Sequence, residues 1–403
     1  MHRYSRAAIA VAASLGVLSG PVVRHAASAA VVPQSAADQA PAAADPTVGT
    51  PASVAASVAP TPHWSSATDL PATPAATAAC GSSYWLSTIT SYKGEERGFV
   101  TDGCAIPHVY YAWGTATAGW RVQKVPFVGG RVSLPLDDRA RNVSADATGT
   151  YVVWHAGPGI QLWKRSNAGD FTQLLTVPRV SGLGVGLVVA GGQWWLVGGE
   201  WQARTMAGGD GKLHHIAWPS PPGDVRLAAQ TSLILGANGL PVMLTSWDDA
   251  SRSTQVPALR YARADGTWST PQILTAWKKD RYAYAAALLR SGSELYAVTY
   301  VEGAPKVHTL VSIKGKSVTS ESIPSLAVFL WQGRPAIAQT TGSGTNRTVH
   351  VSFRTTAGAW TELPPLSVGA RSFNRAVDDD GQLDLVAAGT SDPGVVPQEF
   401  RLG

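Results

Sequence analysis

The stretch at 261–270, YARADGTWST, decides how this chain is read. An alternating run ends at Tyr261, a tight Asp265-Gly266 turn follows, and Trp268 opens a second run. A turn of this kind suits the twist of a β-hairpin, because Gly accepts positive φ. The same form returns as LWKRSNAGDFTQLL (162–175) with Phe171, VSFRTTAGAWTELPPL (351–366) with Trp360, and VYYAWGTATAGWRVQKV (109–125) with Trp120. Looser copies are QARTMAGGDGKLHHIAW (202–218) with Leu213 and TLVSIKGKSVTSESI (309–323) with Val318. The six anchors are spaced 42 to 55 residues apart, 48 on average.

A second marker recurs upstream of each hairpin: a Gly-containing turn and then an apolar strand, as in GTYVVWHA (149–156), GQWWLVGG (192–199) and GRPAIAQTT (333–341). A further apolar segment precedes it, as in GVGLVVA (184–190) and SLAVFL (325–330). Each unit is therefore three or four short strands joined by Gly, Asp or Asn turns, and no long stretch has helical period. A four-strand repeat of this length predicts an all-β fold, a single β-propeller. One blade cannot bury both its faces; closing the ring lets each blade pack on two neighbours and protects the edges. A pair of β-sandwiches is the alternative, and the even spacing of single units argues against it. The blades number six or seven, and we take seven. In either case N- and C-terminal strands should meet at ring closure, and the outer-strand aromatics should wedge between blades.

The hairpin resembles the Asp-box of sialidase-like propellers, S-x-D-x-G-x-T-W, through Asp265-Gly266-Thr267-Trp268. It departs from that pattern in spacing, since Asp and Gly are adjacent and no Ser stands two residues before the Asp. The resemblance implies a structural role in an outer turn for Asp265. For catalysis it implies an arginine triad, a Tyr nucleophile paired with Glu, and an acid/base carboxylate. No Tyr–Glu pair can be placed, and Val177-Pro178-Arg179-Val180 does not match the FRIP-like segment of that family.

Outside the repeat, residues 1–29 read as a secretory signal: basic MHRYSR, an apolar run at 7–18, and Ala27-Ser28-Ala29. The run falls short of the roughly 20 residues a membrane span needs. Residues 30–79, rich in Ala, Pro, Ser and Thr with no Lys or Arg, read as a disordered tether. The propeller then occupies 80–403. Three basic and three acidic residues precede Cys80, so the propeller carries the whole net charge of +5, without a Lys/Arg run. Nucleic-acid binding is not suggested. The two cysteines, Cys80 and Cys104, fit one disulfide in an exported protein. No metal pattern and no cofactor motif is present; His214-His215 are strand neighbours that face opposite ways. His308 and His350 each stand ten residues before their anchors, as repeat equivalents.

Candidate ligand residues follow from the strand order. Arg141, Arg179, Arg226, Arg281 and Arg371 each fall at the start of an expected innermost strand. Together they would line one mouth of the channel and favour carboxylate, sulfate or phosphate groups. Their alternative role is to bridge blades or pair with local acids. Loops on that side add Glu200, Trp201, Trp247, Asp248, Trp277, Tyr282 and Glu302, aromatic faces and carboxylates of the kind a sugar site uses. The function expected is an exported, extracellular binding module without catalysis, for an acidic glycan or another anionic ligand. The alternatives are a sialidase-like glycoside hydrolase and a propeller that docks an envelope protein.

Overall fold

The computed structural model describes residues 68–69, 85–101, 109–115, 118–126, 143–156, 159–178, 185–198, 201–216, 225–249, 254–275, 282–301, 307–343, 346–368, 372–377, 383–388 and 398–402. These form seven antiparallel sheets. In chain order they are blade 1 (85–124), blade 2 (143–177), blade 3 (185–215), blade 4 (225–273), blade 5 (283–323), blade 6 (328–368) and blade 7 (372–402). Within each of the first six, the strands run outward in sequence order. The first strand of every blade packs against the first strands of its two neighbours, and blade 7 packs against blade 1. The sheets therefore close a ring, and the fold is an all-β propeller. No α-helix occurs among the described residues; one 3-10 turn, Met206–Gly208, interrupts the outer hairpin of blade 3.

The chain ends meet as expected, by a route the sequence left open. The N-terminal strands Trp85–Tyr92 and Glu95–Thr101 build a blade of their own. Thr68–Asp69, inside the segment read as tether, pairs with Glu399 and Gln398 and supplies the outer strand of blade 7. The other residues of the expected signal and tether lie outside the described residues, as do Cys80 and Cys104.

The core lies between blades, which explains why second strands are apolar without a break. In Gly149–Ala156, Tyr151 and Val153 pack with Leu187, Trp194 and Leu196 of blade 3. The alternate residues Val152 and Trp154 pack with Phe99 and Tyr111 of blade 1. Period two puts successive side chains on opposite faces, and both faces here are covered. Outer-strand aromatics do wedge at these seams. Trp268 packs among Trp195, Val197 and Leu233 of blades 3 and 4 and donates from Nε1 to Gln202 Oε1 at 2.9 Å. Trp360 of blade 6 donates from Nε1 to Glu321 Oε2 of blade 5 at 3.2 Å.

Arginines at the outer ends of third strands also join blades. Arg165 lies over the rings of Tyr111 and Trp113 of blade 1, 4.4 and 4.3 Å from their centroids, and its Nε donates to Gln123 Oε1 at 2.8 Å. Arg354 reaches Ser312 Oγ and Glu321 of blade 5. Arg204 donates to the Asp265 carbonyl of blade 4.

Candidate functional site

The turn that resembles an Asp-box is structural. Asp265 Oδ1 accepts the Thr267 N–H at 2.8 Å and the Thr267 hydroxyl at 2.7 Å. The backbone N–H bond, then the hydroxyl, hold its carboxyl below the usual carboxylate range. Equivalent hairpins share its backbone closure, Arg263 N–H to Thr267 O, Ser166 N–H to Asp170 O and Thr355 N–H to Ala359 O, but cap it from the residue before the turn: Ser166 Oγ accepts the Asp170 N–H, and Thr355 Oγ1 accepts the Ala359 N–H. Two buried groups are shifted by burial. Burial lowers Arg260 to about 10, and burial raises Tyr111 despite its bond to Thr150.

The strand order brings the starts of first strands, the ends of second strands and the starts of third strands to one face. Most of the arginines expected there, Arg141, Arg179, Arg281 and Arg371, lie outside the described residues, as do Glu200, Trp277 and Glu302. Arg226 is the second residue of the innermost strand of blade 4, and it stands opposite Asp248 in register. Trp247 is buried, 3% exposed, so it offers no open ring face to a ligand. Trp201 is half-buried at the start of the third strand of blade 3. A Cβ on Gly198 would come within 2.6 Å of its ring, so the glycine is what lets this indole lie flat.

Tyr282 is the expected aromatic that does reach solvent, at 37% exposure. It opens a ladder on blade 5. Tyr282 and Tyr284, two residues apart, stack at 6.5 Å between centroids; Tyr284 and Tyr300, opposite in register, stack at 4.9 Å. His308 is the next residue across. The alternate residues, Ala283 and Ala285, are buried, and Ala285 packs with Leu244 and Leu259 of blade 4. Tyr300 instead packs on the cluster shared with blade 6, which includes Val298, Ile323 and Ile337. The ladder thus faces blade 6.

The facing wall is the second strand of blade 6, Arg334–Ser343. Ile337 belongs to the shared cluster, and Gln339 and Thr341 follow it at steps of two on the same side. Both are exposed, as is Thr340 on the other face, whereas Ala336, Ile337 and Ala338 are buried, so the strand leaves the packed core after Ala338. The seam between blades 5 and 6 therefore opens to solvent above Ile337. On this wall His350 stands opposite Gln339. Its Nε2 lies 3.1 Å from Thr341 Oγ1 and its Nδ1 lies 2.8 Å from Glu362 Oε1. The resulting cleft carries stacked phenol rings on one side and hydroxyl, imidazole and carboxylate groups on the other. Stacking surfaces beside hydrogen-bonding side chains suit a polyhydroxylated ring.

Sequence reasoning named Tyr282 but missed Tyr284, Tyr300, Thr341 and Glu362. The spacing Tyr282-x-Tyr284 was a usable signal, because it puts two rings on one strand face. Among the described residues, no group of three or more His, Cys, Asp or Glu could hold a metal ion.

No family model matches the chain, and no curated protein matches it. Solved structures do resemble it in overall fold. A streptogramin B lyase is similar at 14% identity and a TM-score of 0.49, covering 85% of this chain and 98% of that one. Virginiamycin B lyase from Staphylococcus aureus is similar at 12% identity and a TM-score of 0.47, over 85% of this chain and 99% of that one. A subtype N10 neuraminidase-like protein of A/little yellow-shouldered bat/Guatemala/060/2010 has 9% identity and a TM-score of 0.40, over 65% of this chain and 93% of that one.

Proposed function

We propose that this chain is an exported, extracellular binding propeller that holds a glycan in the cleft between blades 5 and 6. The observation that carries this reading is the stack of Tyr282, Tyr284 and Tyr300 with its outermost ring exposed. Sugar C–H faces pack on aromatic rings, while Gln339, Thr341 and His350 across the cleft offer hydroxyl partners. An acidic sugar would gain further from the arginines expected at the channel mouth, of which Arg281 is the chain neighbour of Tyr282. The basic opening segment and the pair Cys80 and Cys104 support export and one disulfide.

A glycan array probed with the purified propeller tests this. The parent is expected to retain a subset of glycans, and Tyr282→Ala with Tyr300→Ala to lose them without a change in circular dichroism. Arg281→Ala with Arg371→Ala should weaken acidic glycans alone. Undiminished binding by the tyrosine double variant would refute the cleft. Membership of the sialidase-like superfamily is the finer reading of the hairpin and would make the site hydrolytic; release of sialic acid from a retained glycan is its test. Capture of an envelope protein with no glycan retained would favour docking instead.

A further inference from the structure

We propose that Thr341, His350 and Glu362 form an acyl-transfer centre that hydrolyses carboxylic esters, a function beyond glycan binding. The three side chains come from successive strands of blade 6. The imidazole is held at both nitrogens in the order that nucleophilic catalysis requires: hydroxyl at Nε2, 3.1 Å, and carboxylate at Nδ1, 2.8 Å. A Glu362 carboxylate at Nδ1 fixes the proton on that nitrogen and leaves Nε2 free to accept the Thr341 proton.

Two features of the blade 5–6 seam place this trio in a usable setting. Thr341 is exposed at the open end of the blade 5–6 seam. The facing wall is the tyrosine ladder, which gives an ester with a flat ring on either side of the linkage a surface to lie on.

The step balances without any other cofactor. Thr341 Oγ attacks the ester carbonyl carbon while its proton passes to His350 Nε2. The carbon–oxygen bond to the leaving alcohol breaks, and that alcohol takes the proton from His350. Water, its proton accepted by His350, then attacks the acyl-threonine. The carboxylic acid leaves and Thr341 regains its proton. Thr341 and His350 are the catalytic residues, and Glu362 is a positioning residue.

The test uses 4-nitrophenyl acetate with the full propeller, followed at the nitrophenolate band, and a fluorophosphonate as covalent probe. The parent is expected to turn over the ester and to carry the phosphonyl mass on the peptide containing Thr341. Thr341→Ala and His350→Ala should each lower kcat by about 100-fold or more and abolish labelling, whereas Thr341→Ser should keep both. Glu362→Gln should lower kcat with KM unchanged, and Glu362→Asp should recover part of it. The three positions are exposed or half-buried in one blade, and an unchanged thermal transition in each of the five variants establishes that the fold is retained. Equal rates in parent and Thr341→Ala, or labelling that survives His350→Ala, would overturn the proposal. Because the probe contains no sugar, failure here leaves the glycan reading standing, and the reverse also holds.

Discussion

Gly266 sits at φ +84°, and a Cβ there would lie 2.0 Å from Nη2 of Arg204. That guanidinium is not free to retreat. It donates from Nη1 to the carbonyls of Met206 and Ala207 at 2.7 Å each and from Nη2 to Asp265 O. Gly266→Ala therefore combines left-handed backbone strain with displacement of a guanidinium that holds two carbonyls of its own blade and one of the next. We expect a loss of about 2–3 kcal/mol, against roughly 1 kcal/mol for Gly94→Ala. Gly94 has a similar φ of +68°, but nothing within 4 Å of the added atom. Urea midpoints at unchanged m-value read the two apart; equal losses would show that the Arg204 contact contributes nothing. At this scale the turn itself was legible, since Asp265-Gly266 asks for a tight hairpin and Thr267 completes it. The arginine above it was not, because Arg204 lies one blade away in sequence.

Strands were legible wherever both faces of a blade are apolar or alternate cleanly, as in Gly149–Ala156, whose expected bounds match the observed ones. The innermost strand of blade 5 was less so. Its run of alanines has no period, and the strand bulges between Ala285 and Ala287. Hydroxyls of blade 4 serve the backbone there: Ser246 Oγ accepts the Ala285 N–H at 2.7 Å and Ser232 Oγ accepts the Leu288 N–H at 3.1 Å. Ser246 is 0% exposed, so Ser246→Ala leaves a buried donor without this acceptor and should cost about 1–3 kcal/mol. Thermal denaturation of the variant checks it; a transition within experimental error of the parent would mean that the amide finds another acceptor. The bulge matters for the site, because it lets Ala285 face blade 4 while Tyr284 and Tyr282 turn their rings to blade 6.

For the whole molecule, the closing strand is the point of weakness. Thr68–Asp69 covers the edge of Gln398–Leu402, which would otherwise present unpaired backbone donors and acceptors to solvent. A chain starting at residue 75 keeps Cys80, Cys104 and every other strand of the ring. It is expected to melt at lower temperature and to self-associate, seen as added mass by light scattering. A monomer with the parent's melting temperature would show that the closing pair is dispensable.

The repeat period, the hairpin turns and the alternation of apolar residues sufficed to specify an all-β propeller, because these are local demands that each unit states again. The same local pattern picked out Tyr282, whose place at the start of an innermost strand follows from the repeat. What only the tertiary structure decided is which blade faces which side chain. Tyr300 joins Tyr284 through strand pairing, and Thr341, His350 and Glu362 meet across three strands. The seam opens beyond Ile337, where the second strand of blade 6 leaves the core and Gln339 and Thr341 face blade 5. Such a cleft arises from the register between two sheets, and no single stretch of chain encodes it.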